Sequence, residues 1–494
     1  MSLTYLSQSL LIIAPFITRI FNAAISNGRY PTLWRTSTIT PVSKVARPQS
    51  PAQTRPIANL PHLARACDRL ITLQISAYLE ENSLLSPLQS GFRSGYSTQT
   101  ALLKVTEDIR QAIDKSLVTV LVLFDFKCAF DTFNHEVLLR RLHEVGFGDL
   151  SLRLMHSFLS GRRQAVIGEG GATSSYRTCT SGVPQGSSPG PVLFSIFINS
   201  LLDVLQHCGT TAMLFADDLQ IYLSCEPDKL NDTIARINAD AHSVLQWSRD
   251  CGLTLNIPKT QAIVVASDQR HMRLDLGACS PVQIDGVTVP FQEKVRDLGM
   301  TIARNMSWKS HVNQLSSRVH GVLHRLRAHS RLLSVEVRRL LVSALVQPHF
   351  DYGSVVYMGL TRTLKQKLQR LQNTAIRFVY NLRRDAAIAP RRRELGWLTP
   401  SQLRNYFLGV TTHRVLQTAR PTYLAGFLSP RAALGYSLRS TTRPNLAEKE
   451  FNTSTYENGF TIQAVRLWNS LPLTLVNTQS IDVFKAALKY HLLQ

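Results

Sequence analysis

Apolar runs in the middle of the chain predict a buried β-sheet that includes a hairpin. Residues 118–124 form an unbroken, largely β-branched apolar run, which is typical of a central strand buried on both faces. Residues 212–214 and 219–223 are also apolar, and the segment 215–218 between them is short enough for a tight hairpin turn. Strands alternate with helical patterns from 117 to about 305, so an α/β unit is expected there.

Helical periodicity dominates the rest of the chain. Apolar residues recur at helical spacing in 135–145, 312–333, 335–346 and 364–381, and a last helix is expected near 481–493. The apolar N-terminal run continues as an amphipathic helix to Asn27-Gly28, where Gly28 can serve as its C-cap. The proline-rich segment 41–56 is expected to form a hairpin with a mobile tip.

Three aspartates mark the ends of the predicted strands. Asp217 and Asp218 lie in the hairpin turn, and Asp125 ends the buried strand 118–124. Adjacent carboxylates repel each other unless a cation lies between them, and an unpaired carboxylate at the end of a buried strand is costly. Since Mg²⁺ prefers carboxylate oxygens, the three together indicate a divalent-metal site, although an Asp-Asp pair alone is usually a solvated turn.

The loop 181–187 is a second feature with chemical meaning. Gly182, Pro184 and Gly186 bracket Gln185, and an apolar helical run follows at 191–198. Glycines let the backbone approach closely, so such a loop can bring its main chain against a flat ligand.

Composition narrows the class of partner. The 494 residues, 44% of them hydrophobic, predict a globular protein of two to four subdomains. Lys and Arg outnumber Asp and Glu by 55 to 33, and the net charge of +22 suits nucleic acid. A membrane surface fits less well, because no long basic amphipathic helix stands apart. The apolar N-terminal run is shorter than the roughly 20 residues that span a bilayer, and it lacks the basic region of a signal peptide.

Cysteine and histidine usage favours an intracellular protein that is not secreted. The seven cysteines form no CxxC pair, which predicts reduced thiols. His311, His320, His324 and His329 lie in one basic segment without a cysteine pair, so they are expected to be solvated helix residues and not zinc ligands.

In this order, the segments resemble the reverse transcriptase of a non-LTR (LINE-type) retrotransposon, most closely the jockey, CR1 and L2-like elements. The resemblance covers nearly the whole chain. The matching blocks are 34–44 and 55–60 in the fingers, 89–93 and 97–102, motif A at 125–135, motif B at 182–187, motif C at 215–218, motif D at 252–256 and 259–260, the primer-grip position 298–299, and the tail segments 467–472 and 484–485.

The resemblance implies an α/β (α+β) right-hand polymerase fold. Fingers and a palm with an antiparallel catalytic sheet would be followed by an α-helical thumb and a C-terminal module. The expected boundaries are 1–116 for the N-terminal helix and fingers, 117–305 for the palm with motifs A to E, 306–399 for the basic thumb, and 400–494 for the C-terminal module.

The activity implied is RNA-directed DNA polymerisation, a nucleotidyl transfer that extends a DNA 3′-hydroxyl on an RNA template. The expected partners are RNA template, DNA primer or target, and deoxynucleoside triphosphates, with no membrane. By their motif positions, Asp125, Asp217 and Asp218 would hold two Mg²⁺ ions about 3.5–4 Å apart, which Mn²⁺ could replace.

Nucleotide-binding roles follow from the same resemblance. Lys44 and Arg55 would hold the triphosphate, or else be surface cations. Phe130 would exclude a 2′-hydroxyl, or else be a core aromatic. Gln185 would support the nascent base pair, or else be a satisfied loop amide, and Lys259 would protonate pyrophosphate or bind phosphate.

Two further groups of residues complete the expected site. The basic clusters of the thumb, concentrated in one subdomain, suggest a phosphate track. Its members include Arg325, Arg327, Arg338 and Arg339. Asp131 is expected to cap the helix that begins near Asn134 and is not expected to bind metal.

Departures from the family pattern leave alternatives open. Cys128 stands where the family usually has Lys, and Ser188-Pro189 replace a small apolar pair. A catalytically decayed or exapted nucleic-acid-binding remnant is therefore one alternative, and a group II intron maturase is another. Nothing precedes the fingers that could be the endonuclease domain, so a fragment of a longer reading frame is expected. Action in the nucleus and cytoplasm is expected from the resemblance.

Overall fold

The computed structural model describes residues 8–431 and 445–494. Its strands are β1 (Thr36–Ser43), β2 (Thr54–Asn59), β3 (Val118–Phe124), β4 (Arg162–Val166), β5 (Arg177–Cys179), β6 (Thr211–Phe215), β7 (Asp218–Cys225), β8 (Gln261–Val265), β9 (Val282–Ile284), β10 (Val287–Val289), β11 (Lys294–Asp297) and β12 (Met300–Ala303).

Its α-helices are α1 (Leu10–Ser26), α2 (His62–Glu81), α3 (Thr98–Asp114), α4 (Ala129–Thr132), α5 (His135–Glu144), α6 (Asp149–Leu159), α7 (Pro189–Leu205), α8 (Leu230–Asp250), α9 (Asp268–His271), α10 (Lys309–Ala328), α11 (Val335–Leu345), α12 (Gln347–Asp351), α13 (Arg362–Tyr380), α14 (Ala389–Glu394), α15 (Pro400–Thr418), α16 (Thr422–Ala425), α17 (Ser454–Glu457), α18 (Phe460–Ser470), α19 (Leu473–Val476) and α20 (Ile481–Leu493).

The central sheet has the strand order β6-β7-β3-β8, and all its neighbours are antiparallel. All seven residues of β3 are buried, as the apolar run predicts. Alternate side chains enter different cores, since Val120 and Val122 join one hydrophobic cluster and Leu121 and Leu123 join the other. The sheet is therefore covered on both faces, and its open end carries the predicted carboxylates.

A second sheet has the order β2-β1-β4-β5. Strands β1 and β2 form the hairpin predicted from the proline-rich segment, with Pro41 opposite Pro56. Strand β1 also pairs in parallel with β4, which comes much later in the chain. The expected subdomain boundaries remain predictions, because this sheet draws strands from both sides of residue 117.

The helical part of the chain matches its periodicity. Helices α11, α13 and α20 lie where they were predicted, and α1 ends at Ser26 with Asn27 as its C-cap and Gly28 at φ +62°. Helix α10 ends at Ala328, before the predicted end, because a 3₁₀ turn at Ser330–Leu332 takes over. Within the described residues, none of the helices combines the length and hydropathy needed to cross a bilayer.

The C-terminal region packs onto α3. One hydrophobic cluster joins α3, one face of the palm sheet, α10, α13, α15, α18 and α20. The carboxylate of Glu107, which is 1% exposed, accepts the backbone N–H groups of Phe460 (2.8 Å) and Thr461 (2.9 Å) and so caps the start of α18. Arg110 donates to the carbonyls of Asn458 and Val356. We call these contacts the α3 latch.

The thiols and one histidine test two expectations. All seven cysteines lie in the described ranges and none forms a disulfide. The expectation of solvated histidines is wrong for His311, which is 5% exposed and packs on Tyr357 with ring centroids 5.2 Å apart. Burial, with a smaller contribution from the charge of Arg318, lowers the pKa of His311 to about 4.

Candidate active site

The hairpin turn that carries Asp217 is held by hydrogen bonds and close packing with the segment that follows Leu88. Phe215 pairs with Asp218, so Ala216 and Asp217 form the turn, and Ala216 adopts the left-handed region at φ +55°. The side-chain oxygen of buried Gln89 accepts the backbone N–H groups of Gly91 (2.7 Å) and Ala216 (3.3 Å). A Cβ atom on Gly91 would collide with the backbone nitrogen of Ala216. The chain therefore needs glycine at residue 91 to hold the turn in place.

Asp125 is fixed by a residue that the sequence did not single out. The backbone N–H of Asn256 donates to the Asp125 carbonyl (2.7 Å), and its side-chain amide donates to Asp125 Oδ2 (2.6 Å). A bridge between Phe126 and Leu255 continues this contact. Motif D thus orients the motif A carboxylate.

A cavity of about 940 Å³ opens between the two sheets, and we call it the catalytic cavity. It brings together two of the three predicted carboxylates and all the predicted nucleotide-binding residues. These are Asp125, Asp217, Lys44, Arg55, Phe130, Gln185 and Lys259. A smaller cavity of about 110 Å³, the inner cavity, adjoins it and is lined by Asp125, Asp218, Lys259, Gln220 and Asp297 among others.

Desolvation and neighbouring carboxylates raise the pKa of both aspartates of the hairpin. Desolvation and the nearby charge of Asp125 raise the pKa of Asp217, while a backbone hydrogen bond and the charge of Arg55 oppose the shift. Desolvation and the charges of Asp217 and Asp125 raise the pKa of Asp218 to about 7, although its side chain reaches solvent. Repulsion of this kind is relieved by a cation.

The motif B loop is tied to the residues around Phe130. The backbone N–H of Val183 donates to the Phe130 carbonyl at 2.9 Å. The Gln185 amide donates to both carboxylate oxygens of Asp131, at 3.0 and 2.9 Å. Desolvation raises the pKa of Asp131, and the Gln185 hydrogen bond and the charge of Lys44 oppose that shift.

The predicted capping role of Asp131 is wrong. The side chain of Asn134 caps α5, since its Oδ1 accepts the N–H of Glu136 at 2.7 Å. Asp131 lies within the preceding short helix α4, so it is free to bind Gln185. Asn134 is the better cap because it immediately precedes the first helical turn.

Aromatic contacts hold Phe130 at the cavity wall. Its ring stacks on Phe194 with centroids 4.2 Å apart and meets Phe92 edge-on at 5.9 Å. Pro189, which departs from the family pattern, occupies the first turn of α7, where proline is tolerated.

The β1–β2 hairpin positions the two predicted phosphate-binding cations. Arg55 lies opposite Val42, and the backbone N–H of Lys44 donates to the Gln53 carbonyl at 2.8 Å. Arg55 lies on β2 and Lys44 directly follows β1, and both side chains line the catalytic cavity.

The predicted thumb arginines lie away from both cavities. Arg325 and Arg327 are exposed in the last turn of α10, and Arg339 is exposed on α11. Arg338 donates to the Ser330 carbonyl at 2.6 Å and is half-buried, so part of its binding capacity is used internally. Their role stays a prediction.

The donor set fits Mg²⁺ as an open site. Within residues 8–431 and 445–494, no three His, Cys, Asp or Glu side chains converge closely enough to hold a metal ion alone. Mg²⁺ usually binds one or two carboxylates and completes its shell with water and substrate phosphates. Asp125 and Asp217 on one cavity wall satisfy that requirement.

Sequence reasoning missed four residues that build the site. Asn256 donates to the Asp125 carboxylate, Gln89 accepts from the backbone of the turn that carries Asp217, and Gln220 and Asp297 are buried nearby. Gln220 carries a weak signal, since it interrupts an otherwise apolar strand.

The antiparallel palm sheet, with Asp217 and Asp218 on the β6–β7 hairpin and Asp125 at the end of β3, has the architecture of a right-hand polymerase. The family described as reverse transcriptase (RNA-dependent DNA polymerase) matches residues 44–302, a little over half of the chain. The chain belongs to this family.

Relatives agree with the resemblance to non-LTR retrotransposon enzymes, which is confirmed. A probable RNA-directed DNA polymerase from transposon X-element of Drosophila melanogaster is 27% identical over 376 residues, covering 74% of this chain and 40% of that protein. The RNA-directed DNA polymerase from mobile element jockey of the same species is 24% identical over 374 residues, covering 73% and 39%. The chain thus spans about 40% of the length of these relatives.

Solved structures give a weaker likeness. Apo telomerase from Candida tropicalis, truncated from its C-terminal domain, has a TM-score of 0.40 and 13% sequence identity, with 56% of this chain and 55% of that chain covered.

Proposed function

We propose that this chain is an RNA-directed DNA polymerase that extends a DNA 3′-hydroxyl on an RNA template. The observation that carries the proposal is the catalytic cavity. Asp125 and Asp217 line it from the palm sheet and Lys44 and Arg55 line it from the β1–β2 hairpin, so carboxylates and cations border the same space. Nucleotidyl transfer requires that pairing of a metal-binding side and a phosphate-binding side.

The proposed role of each residue follows from the chemistry of its side chain. Asp125 and Asp217 would hold divalent ions, with Asp218 behind them, and Asn256 keeps Asp125 in one orientation. When bound, Mg²⁺ supplies charge neutralisation for the attacking and leaving oxygens. Arg55 and Lys44 neutralise the triphosphate as a planar fork and a point charge.

The remaining side chains select the sugar of the incoming nucleotide and assist the release of pyrophosphate. Phe130 is held rigidly by Phe194, so its ring excludes a ribose 2′-hydroxyl at the incoming sugar. Lys259 lines the cavity near Asp125 and is exposed, so its ammonium can deliver a proton to departing pyrophosphate. The Gln185 side-chain amide is held by Asp131 and its backbone carbonyl accepts the N–H of Ala58 at 2.7 Å, so Gln185 supports the nascent base pair by fixing the loop.

The partners follow from charge. A net charge of +22 and the exposed arginines of α10 and α11 suit the phosphates of an RNA–DNA duplex. Synthesis primed at chromosomal DNA would take place in the nucleus.

Primer extension on poly(rA)/oligo(dT) with Mg²⁺ tests the proposal, with wild type compared with Asp217→Asn. We expect wild type to extend the primer and the variant to lose at least about 100-fold in rate, because several kcal/mol of metal-dependent stabilisation is lost. Asp228→Asn, a substitution outside both cavities, is the matched control and should extend normally.

Template binding measured in parallel separates the alternatives. Tight binding without extension by wild type would contradict the proposal and favour a nucleic-acid-binding remnant. Specific binding to a structured intron RNA would instead favour a maturase.

A further inference from the structure

The inner cavity behind the catalytic carboxylates is lined by two buried polar side chains whose bonding is incomplete. Gln220 is 1% exposed, and neither its Oε1 nor its Nε2 has a hydrogen-bond partner among the described residues. Asp297 is 3% exposed, and its Oδ2 likewise has no partner there. A buried polar atom without a partner costs about 1–3 kcal/mol, so two such groups facing one cavity point to a ligand.

These groups come from elements that are not hydrogen-bonded to each other. Gln220 lies on β7 two residues after Asp218, so both side chains point to the same face of the sheet. Asp297 ends β11, in the separate two-stranded sheet β11–β12. The inner cavity therefore lies at the joint between the palm sheet and the hairpin that carries Leu298-Gly299.

The chemistry of the lining favours a hard cation. Asp218, Asp297 and the Gln220 carbonyl supply oxygen ligands of the kind that Mg²⁺ and Mn²⁺ take. Lys259 and Arg296 also line the cavity, but both are exposed and their charges are screened by solvent, whereas the Asp297 carboxylate is buried. A volume of about 110 Å³ also leaves room for waters of the ion's shell.

We propose that the inner cavity binds a divalent cation through Asp218, Asp297 and Gln220, and that this ion ties the catalytic hairpin to the β11–β12 hairpin. The inference rests on the proposed function only for the purpose of this connection, which is to fix the end of the primer relative to Asp217. The binding itself requires no nucleic acid.

Mn²⁺ titration of the whole chain, followed by the electron paramagnetic resonance signal of free Mn²⁺, tests the binding. The Asp217→Asn background weakens the ion in the catalytic cavity and leaves the inner cavity intact. In that background we expect one retained Mn²⁺ site, which Asp297→Asn or Gln220→Leu weakens at least tenfold. Asp232→Asn, an exposed carboxylate on α8, is the control and should leave the site unchanged.

Stability and hydrogen exchange give a second readout. Gln220→Leu removes two unpartnered polar atoms, so we expect the metal-free chain to keep or raise its Tm while losing the Mn²⁺-dependent rise. Mn²⁺ should slow amide exchange in residues 294–303 of the background chain but not of the Gln220→Leu chain.

The outcomes are separable from those of primer extension. If the Asp297→Asn and Gln220→Leu chains bind Mn²⁺ as tightly as the background chain, the inference is overturned and water fills the inner cavity. If Asp297→Asn fails to fold by circular dichroism, the Gln220→Leu result decides. An active polymerase that binds no inner ion would contradict this inference alone, and an inactive chain that binds it would contradict only the proposed function.

Discussion

Gly91 shows how one missing side chain controls the catalytic turn. Because a Cβ atom there would meet the backbone of Ala216, Gly91→Ala should displace the turn that carries Asp217. A displacement of about 1 Å at reacting groups can cost about 100-fold in rate, so we expect a loss of that order in primer extension. Gly321→Ala is the control, since a Cβ atom there meets open space. Normal extension by Gly91→Ala would show that the turn tolerates the shift.

His311 gives a prediction for pH dependence. Its pKa is about 4 in the folded chain and near 6.5 when unfolded. A lowered folded pKa means that the stabilisation is fully present above pH 6.5 and is lost as the pH falls toward 4, by about 3 kcal/mol. The backbone N–H of Thr301 donates to His311 Nδ1 at 3.4 Å, and the side-chain oxygen of an asparagine there could still accept it. We expect Tm to fall over this window more steeply for wild type than for His311→Asn. Parallel Tm curves would contradict the assignment.

At the same scale, the sequence identified the proposed metal-binding carboxylates but did not identify the residues that hold them in position. Asp125, Asp217 and Asp218 could be found because charge at the ends of apolar strands is unusual. Asn256 and Gln89 fall within matched blocks, but their supporting roles were not predicted, since an amide in a loop has no periodicity and its partners lie far away in sequence. The prediction for Asp131 was wrong for a similar reason. Asn134 lies next to the first turn of α5 and caps that helix, whereas Asp131 accepts a hydrogen bond from Gln185, which is remote in sequence.

At the scale of elements, the loop between α8 and β8 and the end of strand β3 act as a pair. Asn256 is their contact, through two hydrogen bonds to Asp125. We expect Asn256→Ala to keep the fold but to weaken apparent Mg²⁺ affinity in primer extension about 10–100-fold, as loss of a group that orients a metal ligand usually does. Asn22→Ala, exposed on α1, serves as control. An unchanged apparent Mg²⁺ affinity would contradict the idea that Asn256 must orient Asp125.

Elements themselves were the most predictable part of the fold. Strand β3, the β6–β7 hairpin, the β1–β2 hairpin and α20 follow from local apolar patterns and turn residues. The parallel pairing of β1 with β4 did not follow, because it joins segments more than a hundred residues apart and leaves no local signal.

On the scale of the whole molecule, the α3 latch couples the C-terminal region to the palm. Glu107→Gln would keep one acceptor and set an amide N–H against a backbone N–H. We expect the free energy of unfolding in urea to fall by about 1–3 kcal/mol. Glu81→Gln, exposed at the end of α2, should change it little. An unchanged value for Glu107→Gln would show that α18 is held by apolar packing alone.

The latch also bears on how copies of such a gene lose activity. A premature stop codon between residue 303, where β12 ends, and residue 460 deletes α18 and α20, and the apolar side of α3 that supports the central sheet is left facing water. The codons of all the proposed catalytic residues survive such a truncation, yet the sheet that carries Asp217 and ends at Asp125 has lost part of the packing on one of its two faces. An intact set of catalytic codons is therefore poor evidence of a working copy unless the last codons are intact as well.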